Sequence, residues 1–210
     1  PLFFEISPRE AEQMDPGERL LLTEAYRAIE DAGIAPSSLR GSKTGVFVGL
    51  EESHYKQMMA EAEITTDGAA MISSRLSYYL DLHGPALAIN TACSSGLVAL
   101  HSASMSLQRN ECSTALVAGI ALNLAPQSYL MMSKAGMLSP EGYCRSFSKD
   151  AQGIGVGEAV VVVMLKPLST ALADGDRIYG TINASGINFD GKTNGVTAPN
   201  GALQEKLIEN

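Results

Sequence analysis

From Leu82 to Gln108 the chain carries no Asp, Glu, Lys or Arg, and this stretch constrains the fold more than any other. So long a charge-free run belongs either in a membrane or at the centre of a folded domain. Gly84, Pro85, Asn90 and the many serines interrupt it, so no unbroken apolar run approaches the ~20 residues of a membrane span. It is therefore expected to form the buried centre of a soluble domain. Pro85 to Ile89 reads as a strand and Leu97 to Leu107 as a helix. Between them lies the turn Asn90-Thr91-Ala92-Cys93-Ser94-Ser95-Gly96. Small residues on several faces predict a helix crowded by neighbours rather than one at the surface.

The flanking sequence alternates strands with helices. Asp15 is a capping residue, Pro16 suits the first helical position, and Glu18 completes a capping box. Leu22, Ala25, Tyr26, Ile29 and Ala32 then repeat at helical spacing until Gly33 stops the helix. Thr44 to Leu50 reads as a strand, Ser53 to Ala62 as a polar helix, and Ala69 to Leu80 as a helix with Met71, Leu76, Tyr79 and Leu80 towards the core. Beyond the central stretch, Thr114 to Leu122 is a strand with a kink at Gly119, and Gln127 to Ala135 a short helix. Gly136 to Gly157 is a glycine-punctuated loop region. Ala159 to Leu165 does not alternate, which predicts a strand covered on both faces. Pro167 to Ala173 gives a short helix and Arg177 to Ile187 a further strand. The alternation predicts an α/β layered architecture.

With 210 residues, 45% of them hydrophobic, the chain suffices for one domain or a large piece of one. It lacks an initiator methionine and stops at Asn210 inside a helical pattern (Leu203, Leu207, Ile208), so a segment of something longer is expected. A net charge of −8 with no Lys/Arg block argues against nucleic acid and anionic membranes as partners. Cys93, Cys112 and Cys144 are an odd set at long spacings, unlike a disulfide framework or a zinc site. With no targeting segment visible, the expected compartment is the reducing cytoplasm.

Cys93 carries the chemistry. A free cysteine is more often a buried structural residue, and Cys112 and Cys144 are read that way. At a strand-to-helix turn, however, the first N–H groups of the helix point outward unpaired, and the positive helix end favours thiolate over thiol. That setting makes Cys93 a candidate nucleophile for acyl chemistry. Ser94 is a rival, because Ala92-Cys93-Ser94-Ser95-Gly96 matches a serine-hydrolase elbow with alanine for the first glycine. Such a hydrolase needs a later histidine. The last one, His101, lies two turns along the same helix, roughly 12 Å from Cys93. His54 and His83 read as solvent-exposed.

Gly153-Ile154-Gly155-Val156-Gly157-Glu158 precedes a strand, whereas a dinucleotide loop follows one. Tight backbone packing beside a pocket is expected there, with Glu158 as a buried, paired carboxylate. Met131, Met132 and Met137 read as adaptable packing, with an apolar acyl channel or a subunit interface as the functional alternative. Residues 188–195 form a turn-rich loop, either an active-site rim or plain surface.

Thr91-Ala92-Cys93-Ser94-Ser95-Gly96 resembles the nucleophile motif of β-ketoacyl synthases. Asp15-Pro16-Gly17-Glu18-Arg19-Leu20-Leu21-Leu22, Arg145-Ser146-Phe147, Asp150-Ala151-Gln152-Gly153, Gly157-Glu158, Ala173-Asp174-Gly175-Asp176-Arg177-Ile178 and Asn188-Phe189-Asp190-Gly191 through Thr197-Ala198-Pro199-Asn200 resemble, in family order, the ketosynthase domains of modular type I polyketide synthases. Gly191 through Asn200 is most similar to systems whose acyltransferase is a separate protein.

The resemblance implies a thiolase-like layered α/β/α/β/α fold and a homodimer. Residues 1–210 would be a partial domain, lacking the opening segment and the histidine-bearing second half. It implies Cys93 as nucleophile, with its own backbone N–H as an oxyanion donor. It also implies decarboxylative Claisen condensation with a malonyl-type extender, without a metal or a directly bound cofactor. The acyl groups would travel as phosphopantetheine thioesters on an acyl carrier protein, alongside other synthase domains. A domain of this fold that only transacylates is the alternative, and this chain alone is expected to be inactive.

Overall fold

Asp15 opens the first long helix as its sequence requires. Its Oδ1 accepts the Gly17 N–H at 2.6 Å and Pro16 occupies the first turn. The computed structural model describes residues 1–51, 54–58 and 68–209. In chain order the elements are α1 (Pro8–Gln13), α2 (Pro16–Asp31), β1 (Thr44–Leu50), α3 (Tyr55–Met58), α4 (Ala69–Leu80), β2 (Ala86–Ile89), α5 (Ser95–Gln108), β3 (Thr114–Ala121), α6 (Gln127–Lys134), β4 (Ala159–Leu165), α7 (Leu168–Asp174) and α8 (Gly201–Glu209). Much of the polar helix expected over 53–62 lies outside the described residues. Tyr55–Met58 is its visible part.

The four strands form one mixed sheet in the order β2-β1-β3-β4. β1 runs parallel to β2 and β3, and β4 runs antiparallel to β3. Every residue of β1 is buried, as expected of a central strand with helices on both faces. Its Val46, Val48 and Leu50 pack against Leu21, Leu22 and Ile29 of α2 and Leu76 of α4. Phe47 points the other way, onto Ala99 and Ala103 of α5. α2 and α4 thus cover one face and α5 the other.

Glu18 takes part in an ion-pair network between helices. Its Oε1 lies 2.6 Å from Arg75 Nε, and Arg75 Nη1 reaches Glu10 at 2.7 Å, so α1, α2 and α4 are tied by one guanidinium. Burial works against that charge, but the two carboxylates outweigh it and hold the Arg75 pKa above its ordinary value.

Four expectations need correction. β4 is covered along one face, and on the other only at its end, where Leu165 packs on the α5 side of the sheet. Val162 and Met164 pack into the core, whereas Val161 and Val163 are 57% and 40% exposed. A non-alternating run reports that both faces are apolar, not that this chain supplies both covers. α5 is likewise buried along one stripe, Ser95, Ala99, Ala103 and Ser106, while Leu97 is 74% exposed. Gly119 makes no kink, since it stays in register opposite Gly49 and Val161. Residues 177–187 form no strand. A strand needs a neighbour to take its N–H and C=O groups, and no described strand pairs with this segment. Side chains fix it instead: Tyr179 donates to Asp31 at 3.0 Å, and Ser185 meets His101 of α5 at 2.9 Å.

Candidate active site

β2 ends at Ile89 and α5 begins at Ser95, and side chains brace the turn between them. Asn90 Oδ1 accepts the Ala92 N–H at 3.1 Å. Ser94 Oγ donates to the Thr91 carbonyl at 2.8 Å and lies 2.9 Å from Thr91 Oγ1. Ser95 Oγ accepts the Thr91 N–H at 2.9 Å and donates to the Ala92 carbonyl at 2.6 Å. This bracing holds Ala92 at φ 54°, in the left-handed region that non-glycine residues seldom occupy. Cys93, the next residue, is exposed. A sulfur and a backbone donor therefore meet at the positive end of a helix of 14 residues.

The sheet sets the height of that helix end. A Cβ added to Gly49 of β1 would lie 2.3 Å from the Ser95 carbonyl carbon and oxygen, so only glycine permits this approach. On β3, Gly119 faces Gly96 at ordinary contact distance. Gly49 and the bracing role of Ser95 escaped the sequence reading. A glycine inside the wholly apolar run of β1 was the signal for the former.

The other candidates separate from this turn. Ser94 spends its hydroxyl on Thr91, and no described histidine bonds to it. His101 Nδ1 meets Ser185, and the exposed His83 ring lies 3.2 Å from Asp81. His54, expected to be exposed, is half-buried. Glu158 is exposed rather than buried, because its partner is the Asn123 backbone N–H at 2.5 Å and not a cation within the core. Gly153 and Gly155 do pack tightly against backbone, a Cβ on Gly155 lying 2.0 Å from the Gly142 oxygen, whereas Gly157, next to Glu158, faces open space. Met131 and Met137 are 63% and 44% exposed, so in these residues they pack no core. A groove of about 700 Å³ between β4, α5 and residues 176–183 contains none of the turn residues.

The three cysteines differ in access. Cys112 is buried, and burial pushes its thiol up, an effect partly offset by a hydrogen bond to the Gly45 backbone. Cys144 is exposed, with Sγ 3.3 Å from the Gly155 nitrogen. Iodoacetamide applied to the native protein is expected to label Cys93 and Cys144 and to spare Cys112 until denaturant is added. Peptide mapping by mass spectrometry reads this directly, and labelling of native Cys112 would contradict the packing.

The turn thus presents an exposed cysteine beside a mixed α/β sheet. Residues 1–171 match the model of the β-ketoacyl synthase N-terminal domain, and the chain belongs to that family. Among relatives, polyketide synthase PksM of Bacillus subtilis is 50% identical over 100% of this chain and 5% of its own length. ThaG of Burkholderia thailandensis is 54% identical over 99% of this chain and 4% of its own. The ketosynthase from module 6 of the Bacillus subtilis bacillaene synthase superposes with a TM-score of 0.94 at 47% identity, over 99% of this chain and 37% of that one. The oxazolomycin ketosynthase domain from Streptomyces albus gives 0.92 at 37% identity, covering 99% and 38% respectively. The fold is thus thiolase-like along essentially the whole chain. The chain spans only a small part of the curated relatives.

Proposed function

We propose that the chain supplies the acyl-accepting half of a polyketide ketosynthase, with Cys93 as nucleophile. Its thiolate attacks the thioester carbonyl of an acyl group on a carrier protein's phosphopantetheine. The Cys93 N–H receives the oxyanion, the carrier thiol departs, and a Cys93 thioester remains. A malonyl-type extender on a second carrier then loses carbon dioxide. The resulting carbanion attacks this thioester, forming the carbon–carbon bond of a β-ketoacyl product and releasing the Cys93 thiolate. The observation that carries the reading is the exposed Cys93 on the braced turn that leads into α5.

The partners are an acyl carrier protein, other synthase domains and a second copy of the protein, and the compartment is the cytoplasm. Dimerisation is supported by β2, an outer strand in a charge-free stretch whose Leu87 is 44% exposed. Such an edge invites a second chain.

Acyl-pantetheine thioesters given to the full-length protein are expected to add one acyl group to the peptide containing Cys93, read by intact and peptide mass spectrometry. A malonyl carrier should then release carbon dioxide and free the peptide. Acylation of Ser94 in place of Cys93 would sink the proposal. Loading without carbon dioxide release would restrict it to transacylation.

A further inference from the structure

We propose that Ser95 is a positioning residue for acyl transfer, aiming the Cys93 N–H at the oxyanion. The inference rests on Cys93 as nucleophile. A peptide unit is planar and trans, so the Ala92 carbonyl and the Cys93 N–H share one plane and point in opposite directions. Whatever grips the carbonyl fixes the donor's aim. Ser95 grips it twice, through Oγ at 2.6 Å and through its own N–H at 3.0 Å. The same Oγ accepts the Thr91 N–H at 2.9 Å, so one hydroxyl locks the strand exit and the peptide preceding Cys93 together.

Two further observations make this hydroxyl more than a helix cap. Ser95 is 4% exposed, so water does not compete for these bonds. Its backbone is also pressed against Gly49 of β1, so it cannot shift along the sheet. Ala92 at φ 54° is a conformation the turn would leave if the carbonyl were released. Loss of the hydroxyl leaves one of two donors on that carbonyl and lets the peptide plane rock. The sulfur keeps its place at the helix end, but the N–H loses its aim.

Two reactions at the same sulfur separate these effects. Thioester acylation passes through an oxyanion and needs the donor. Alkylation by iodoacetamide is a displacement at carbon that creates no oxyanion, though both need the thiolate. In the full-length protein, Ser95→Ala is expected to slow Cys93 acylation by an acyl-pantetheine about ten-fold or more. Its Cys93 alkylation rate should stay within about two-fold of the parent, because the nucleophile itself is unchanged. Ser95→Thr keeps the hydroxyl and should retain the parent ratio of the two rates. Equal losses in both reactions, unchanged acylation in Ser95→Ala, or a Ser95→Thr ratio as low as that of Ser95→Ala would overturn the assignment. Cys93→Ala, run alongside, tests the nucleophile separately. Persistent loading there would refute Cys93 rather than Ser95.

Discussion

Replacing Cys93 with alanine in the full-length protein should lower acyl loading from a thioester by on the order of 10⁴-fold or more, as loss of a covalent nucleophile does elsewhere. The size of the effect follows from the lack of a substitute. Cys112 is buried behind β1, and its thiol is pushed further from ionisation by that burial. Cys144 lies in the loop after α6 with its sulfur against the Gly155 backbone. Ser94 stands beside Cys93, but its hydroxyl is committed to Thr91 and has no described histidine as base. An alanine at position 93 keeps the backbone N–H and the fold, so thioester can still bind and melting temperature should hardly move. Intact-mass loading curves and thermal unfolding together make the check, and an alanine variant that loads at the parent rate would end the thiol mechanism.

Gly49→Ala should be the most damaging small substitution in the sheet, costing about 3 kcal/mol or more of stability. The new methyl would sit 2.3 Å from the Ser95 carbonyl carbon and oxygen, both main-chain atoms that cannot swing aside. Either β1 bends out of a layer packed on both faces or α5 lifts away and carries the Cys93 turn with it. Gly119→Ala is the control. The equivalent methyl meets only Gly96 Cα at 3.8 Å, an ordinary contact, and should cost less than about 1 kcal/mol. Urea unfolding of the two variants, with Cys93 acylation measured below the transition, tests the difference. Equal stabilities would mean that α5 does not rest on β1 as described.

Elements governed by local chemistry were legible. The cap at Asp15 with Pro16 marked the start of α2, and the bounds of β1, α4 and β4 follow from apolar runs ended by polar, glycine or proline residues. The turn carrying Cys93 was legible because a strand signal meets a helix signal there. Features that depend on distant partners were not. The two sides of β4 are equally apolar in sequence, and only the position of α2 decides which is packed. Residues 177–187 have strand-forming side chains but no described strand to pair with. Glu158 looked like a core ion pair because sequence shows a carboxylate but not the Asn123 N–H that occupies it. The role of Ser95 depends on a contact between a helix and a strand 46 positions earlier, since 95 − 49 = 46, which no local pattern encodes.

Alanine at φ 54° lies about 1 kcal/mol or more above its relaxed conformations, and Ala92 is held there by groups on both sides. That cost falls on folding, when the strand and helix lock around the bend, and not on each catalytic turnover. On the proposed role of Cys93, the residue before the nucleophile begins every cycle already arranged, with little reorganisation left for the reaction itself.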